Sequence, residues 1–97
     1  MTVRDNEGVE KVGTFLIRNE LGIHARPAGL FAQTANRFKS RIVVERNGTV
    51  VDGKSIMEVM LLGASKGNSV TVRAIGEDAE SALAALAELI NGKFGEE

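Results

Sequence analysis

Between Thr14 and Ile90 the apolar residues change spacing repeatedly, from alternation to a helical period and back. No stretch holds one period long enough for a coiled coil or a membrane span, so the short runs have to share a core. Thr14-Phe15-Leu16-Ile17-Arg18 reads as a strand with Phe15 and Ile17 on one face, and Asn19 to Ile23 as a turn. From about Ala25 to Phe38, Leu30 or Phe31, Ala35 and Phe38 keep helical spacing, and the only proline, Pro27, fits the first turn of that helix alone. Ile42 and Val44 alternate with Arg41, Val43 and Glu45. Asn47-Gly48 is a hairpin signal, and Thr49-Val50-Val51 returns as a third strand. Ser55-Ile56-Met57-Glu58 has the capping-box pattern and opens a short helix to about Leu62, with Gly63 as its stop. Ser69 to Ala74 alternates again. A last helix begins near Asp78, carries Ala79, Leu83, Leu86 and Ile90 on one stripe and ends at Asn91-Gly92. The order β-α-β-β-α-β-α predicts an α+β domain: one mostly antiparallel sheet covered by three helices on a single face.

At 97 residues the chain has room for one core and no separate catalytic lobe. Residues 13–97 are expected to form that domain, and residues 1–12 a flexible N-terminal extension. Segment Met1 to Lys11 is polar and carries Asp5, Glu7 and Glu10, so it lacks the apolar run of a signal peptide, and a cytoplasmic location is expected. Charge is balanced, 12 basic against 13 acidic residues, and Trp and Tyr are absent. That combination offers no electrostatic or stacking platform for nucleic acid. Without cysteine and with one histidine, neither thiolate chemistry nor a zinc-type ligand set is available; no metal and no cofactor are expected.

Gly48-Thr49-Val50-Val51-Asp52-Gly53-Lys54-Ser55 satisfies the phosphate-loop pattern letter for letter. Such a loop works only between a buried parallel strand and a long helix, where successive N–H groups wrap the phosphates. Here Thr49, Val50 and Val51 are β-formers after a hairpin signal, and the following helix is about two turns long. The match reads as coincidence.

The single histidine, His24, lies where strand and turn give way to the first helix. A helix start presents unpaired backbone N–H groups and the positive end of the helix dipole, so a negative group on this imidazole finds partners at once. Gly22 lets the backbone approach another surface, Arg26 adds a guanidinium two residues on, and Pro27 fixes the start of the helix. A phosphoryl group on His24 would be cradled by the helix start at Ala25 and Arg26 without a metal ion. The plainer alternatives are a packing or surface histidine and a solvated arginine.

Ser55 has two compatible readings. Its hydroxyl can cap the short helix while Glu58 reaches back, a contribution of about 1 kcal/mol, or it can carry a phosphate at that helix start. Sequence physics alone favours the cap. Ile56 to Leu62 is apolar on nearly all sides; Ile56, Val59 and Met60 share a face and are expected in the core, leaving Met57 or Leu61 for partner contact.

At Gly22-Ile23-His24-Ala25-Arg26-Pro27-Ala28 and Lys54-Ser55-Ile56-Met57 the chain closely resembles the HPr family, the histidine-containing phosphocarriers of the bacterial phosphoenolpyruvate-dependent sugar phosphotransferase system. The likeness runs from about Thr14 to Ile90 and takes in Gln33-Thr34-Ala35, Asn47-Gly48 and Leu62-Gly63-Ala64. It implies an open-faced β-sandwich, His24 as phosphoacceptor through Nδ1, and Arg26 as an aid to transfer. It also implies Ser55 as a regulatory serine modified by HPr kinase/phosphorylase, and Ile56 and Met57 as docking residues, to which Met60 is added as a further expected partner contact. The chain would be a stoichiometric carrier rather than an enzyme, monomeric, loaded by enzyme I and unloaded by EIIA domains. Two residues depart from the common pattern. Gly29 stands where many relatives carry Thr or Ala, and Glu58 where many serine-regulated relatives carry glycine.

Other classes predict other behaviour. A carrier of the nitrogen-related branch shares the histidine motif but has a regulatory output. A nucleotide-binding protein would depend on Lys54, and a purely regulatory module would bind partners without regard to His24.

Overall fold

The structure is a computed structural model that describes residues 9–97. Its elements follow the predicted order: β1 (Glu10–Leu16), α1 (Ala25–Ala35), β2 (Arg41–Arg46), β3 (Thr49–Asp52), α2 (Ile56–Leu61), β4 (Ser69–Ile75), α3 (Ala79–Asn91) and a closing 3-10 turn (Lys93–Gly95). The four strands form one sheet in the order β1-β4-β2-β3, antiparallel throughout. Alternation decides which face is covered. Ile42, Val44, Val51, Val70, Val72 and Ala74 point under the helices and are buried, whereas Val12, Leu16 and Val50 are exposed on the open face. The result is the expected open-faced α+β sandwich.

Three boundaries differ from the sequence reading, each for a physical reason. Strand β1 begins at Glu10, ahead of Thr14, because Glu10, Lys11 and Val12 pair with Ile75, Ala74 and Arg73. An ion pair from Arg73 to Glu10 at 2.8 Å and a bond from Gly76 N–H to the Val9 carbonyl at 3.0 Å fasten this end. Residues 10–12 therefore belong to the sheet and not to a flexible extension, whose first eight residues lie outside the described ones.

At the other end of β1, Ile17 turns off the ladder. Its N–H donates to Asn68 and its carbonyl accepts from Gly67, both at 2.8 Å. Helix α1 stops at Ala35, short of Phe38, because the next N–H groups tighten to carbonyls three residues back, Arg37 to Thr34 O at 3.1 Å and Phe38 to Ala35 O at 3.2 Å, and side chains tie the turn that follows. The Asn36 amide donates to Ala32 O at 2.8 Å and to Lys54 O at 2.9 Å, and the Lys54 ammonium donates to Phe38 O at 2.7 Å.

The core beneath the helices is built from Ile17, Phe31, Ile42, Val44, Leu86 and Ile90, all essentially inaccessible. Helix α3 packs on β1 and β4, while α1 bridges α2 and α3. The start of α3 is tied to the turn after α1 through Asp78, whose carboxylate accepts from Lys39 N, Ser40 N and Ser40 Oγ at 2.8, 2.9 and 2.5 Å. The Ser40 hydroxyl and then the Lys39 N–H hold the Asp78 pKa below the usual aspartate value, against the opposing effect of burial.

Two expectations follow. Because Asp78 ionises more readily in the folded chain, its contribution to stability is complete above the unfolded aspartate range, about pH 4, and is lost as pH falls through its lower folded value. Urea unfolding across the acid range should show Asp78→Asn less stable than wild type near neutrality, with the difference shrinking in acid. Gly29 lies inside α1, and a Cβ built there meets nothing within 4 Å. Gly29→Ala should raise the unfolding free energy by about 0.5–1 kcal/mol, read from the denaturant midpoint.

Candidate functional site

His24 is the N-cap of α1, with extended dihedrals (φ −90°, ψ −165°) and no side-chain capping bond. Its imidazole is therefore not spent on the helix. The N–H groups of Ala25 and Arg26 fall in the first turn, where no carbonyl of the helix reaches them, and Pro27 brings no donor. The chain arrives through Gly22, whose φ of +67° is left-handed and whose Cβ, were there one, would lie 2.5 Å from the Ala64 carbonyl oxygen. That carbonyl accepts from Ile23 N–H at 2.9 Å, so the segment following α2 is stitched to the residue before the histidine.

What completes the site comes from the far end of the chain. The Glu96 carboxylate accepts from His24 Nε2, 3.0 Å to Oε2 and 3.2 Å to Oε1, and from Arg26 Nη1 at 3.1 Å. Its Oε1 also accepts from the Asn19 amide at 3.0 Å, and Arg26 Nη1 donates to Phe94 O at 3.0 Å. Burial pushes the Glu96 carboxyl up, but the bonds from His24, Asn19 and Arg26, with the charge on the ring, outweigh it and leave the pKa lowered.

An ionised carboxylate only accepts, so Nε2 carries the proton. In the neutral ring this leaves the lone pair on Nδ1. The histidine is about one third exposed at 36% and Glu96 is tucked in at 18%, which sets a part-exposed ring over a screened anchor.

Glu96 and Asn19 escaped the sequence reading. Glu96 is delivered by a backbone that periodicity does not encode: Lys93, Phe94 and Gly95 have φ of 59°, 56° and 75°, and the buried Phe94 ring pins the segment. The Gly92 break after α3 was its one visible trace.

Ser55 caps α2 as expected, its Oγ accepting from Glu58 N–H at 3.2 Å. The capping box is only half formed, because the Glu58 carboxylate turns to Asp52 N–H at 2.9 Å and Ser55 N–H donates to Asp52 O instead. Of the residues expected under α2, Val59 is buried. Ile56 at 47% and Met60 at 39% are exposed, which corrects their placement in the core. The six-residue helix rolls only the Val59 and Leu62 edge inward, leaving Ile56, Met57, Met60 and Leu61 outside together with Leu21 of the turn before His24.

The phosphate-loop match resolves as a hairpin, with Thr49, Val50 and Val51 paired to Arg46, Glu45 and Val44. Its Lys54 ammonium is committed to the end of α1. Among the described residues no cluster of His, Cys, Asp and Glu is arranged to hold a metal, and no helix is long and apolar enough to cross a membrane.

The family model "PTS HPr component phosphorylation site" matches residues 12–92. The chain belongs to the HPr family. It is 49% identical over 80 residues to the phosphocarrier protein HPr of Neisseria meningitidis, across 82% of this chain and 90% of that one. The crystal structure of HPr-C-His from Thermoanaerobacter tengcongensis matches with a TM-score of 0.86 at 53% identity, covering 90% of this chain and 98% of the other. The crystal structure of an HPr dimer from the same organism matches with a TM-score of 0.72 at 52% identity, covering 84% and 94%. As an HPr, the chain is a phosphocarrier of the phosphotransferase system, and its open-faced sandwich is the family's fold.

The geometry around His24 predicts two measurable properties. Glu96 should titrate below the ordinary glutamate value of 4.5 when its carboxyl carbon is followed by NMR. The stability it lends is complete above the unfolded range and lost as pH falls through its lower folded value. Gly22→Ala should destabilise the fold by about 1–3 kcal/mol in denaturant titration, since alanine meets both a strained φ and the Ala64 carbonyl.

Proposed function

We propose that His24 accepts a phosphoryl group from phosphorylated enzyme I through Nδ1 and passes it to a histidine on an EIIA domain, in the service of sugar uptake and phosphorylation. The observation that carries this reading is the bond from Nε2 to Glu96, which supports Nδ1 as the nucleophilic nitrogen. As the N–P bond to Nδ1 forms, the N–P bond on the donor histidine breaks and its electron pair returns to the donor ring. The proton on Nε2 stays in place, so the His24 ring turns cationic, and Glu96 lies against the charge it gains. Arg26 and the N–H groups of Ala25 and Arg26 meet the charge on the phosphoryl oxygens. The carrier acts as a monomer in the cytoplasm, beside enzyme I.

Ile56, Met57 and Met60, with Leu21 and Leu61, form the apolar surface on which these partners dock. Ser55 is the regulatory position, modified by HPr kinase/phosphorylase. A phosphate there adds roughly −1.5 to −2 charges beside that surface and weakens docking. Glu58 and Asp52 already bring two carboxylates to the same turn, so the modification works against local charge.

Incubation with enzyme I and phosphoenolpyruvate, followed by intact mass, should show one acid-labile phosphoryl group on wild type and none on His24→Ala. A His24→Ala protein that gains as much as wild type refutes the assignment. Glu96→Gln, which keeps shape but removes charge, should slow loading on the order of tenfold, and Met57→Glu should raise the concentration of carrier needed for half-maximal rate.

A further inference from the structure

We infer that Asn19 is a positioning residue for phosphoryl acceptance, holding the Glu96 carboxylate in the orientation that keeps the His24 lone pair on Nδ1. The inference rests on the reading of His24 as the acceptor. Asn19 is wholly buried, at 0% exposure, in the turn before α1. Both donors of its amide are in use: one goes to Gly22 O at 2.7 Å, the other to Glu96 Oε1 at 3.0 Å. The amide has one orientation available, because its reverse would set Oδ1 against a carbonyl and a carboxylate, both acceptors.

That orientation leaves Oδ1 buried with no partner among the described residues. An unsatisfied buried acceptor destabilises the fold, a cost that an apolar residue of similar shape would avoid. Packing alone therefore does not account for an asparagine here.

The two bonds divide the work. The bond to Gly22 fixes the backbone two residues before the histidine. The bond to Oε1 anchors one carboxylate oxygen on a buried donor, so that Oε2 faces His24 Nε2 and Arg26 Nη1. Those two side chains are themselves partly or largely exposed. With them alone the carboxylate would follow the guanidinium outward, Nε2 would lose its acceptor, and the ring would spend time with the proton on Nδ1. In that tautomer Nδ1 has no pair to give to phosphorus. Asn19 touches neither the ring nor the phosphoryl group; it acts through Glu96.

The test uses the ring nitrogens of the full chain, read by long-range proton–nitrogen NMR where the imidazole is neutral, together with single-turnover loading from phosphorylated enzyme I. Wild type should show Nε2–H. Asn19→Ser, too short to reach Glu96, and Asn19→Asp, which faces it with a second acceptor, should both show a rising Nδ1–H population and load on the order of tenfold more slowly. In a Glu96→Ala background, Asn19→Ser should add nothing further.

A folded Asn19→Ser protein with wild-type ring shifts and loading overturns the inference and leaves Asn19 a purely structural residue. Should the variants fail to fold, the wild-type Asn19 side-chain amide decides: it should move with the Glu96 carboxyl carbon in an acid titration, and an amide indifferent to that titration overturns the proposal. Wild type that takes no phosphoryl group at His24 defeats the parent reading. A ring and a rate that ignore Asn19 defeat this inference alone.

Discussion

The pairing of β4 with both β1 and β2 is the constraint from which the rest of the molecule follows. It sets the first strand of the chain beside the last, so that the residues following β1 and the residues following α3 open onto the same edge. The β1–α1 turn then presents Asn19, Gly22 and His24, and the segment after α3 presents Phe94 and Glu96. Neither half holds all of these groups alone. The hydrophobic face of the sheet supplies the driving force, because Val70, Val72 and Ala74 on β4 bury only when α3 closes over β1 and β4.

Within this frame the site pairs a part-exposed imidazole with a screened carboxylate. A phosphocarrier has to receive a phosphoryl group and surrender it readily, so its acceptor cannot be sunk in a cavity. His24, the proposed acceptor, caps a helix with its backbone while its ring stays out of the cap. Glu96 provides the fixed charge that an open site otherwise lacks. It does so from a backbone in left-handed conformation at Lys93 and Phe94, each costing of the order of 1–3 kcal/mol and held by burial of the phenyl ring.

Much of this was legible in the chain because it is local. Alternation at Ile42 and Val44, the Asn47-Gly48 hairpin, the Ser55 cap and the helical stripe from Ala79 to Ile90 all express periods of a few residues, and each element formed where they point. Glu10 to Val12 escaped because an edge strand with one open face is free to be polar. Ile56 and Met60 were misplaced because periodicity tells which residues share a face but not which face turns inward, and a helix of six residues offers too little to choose by. Asn19 carried no local signal, and Glu96 none beyond the Gly92 break before it. Their contacts join residues 77 and 72 positions apart, a relation that only the assembled sheet creates.

That separation has a consequence for the life of the molecule. The helix bearing His24 is complete in the nascent chain long before residue 96 has been made, and closing a loop of that length waits on the β1–β4 pairing that precedes it. A ribosome-bound or half-folded carrier thus displays the histidine without the carboxylate that fixes its tautomer. The contact between His24 and Glu96 is therefore a late product of folding, and the proposed acceptor gains its anchor only in the finished fold.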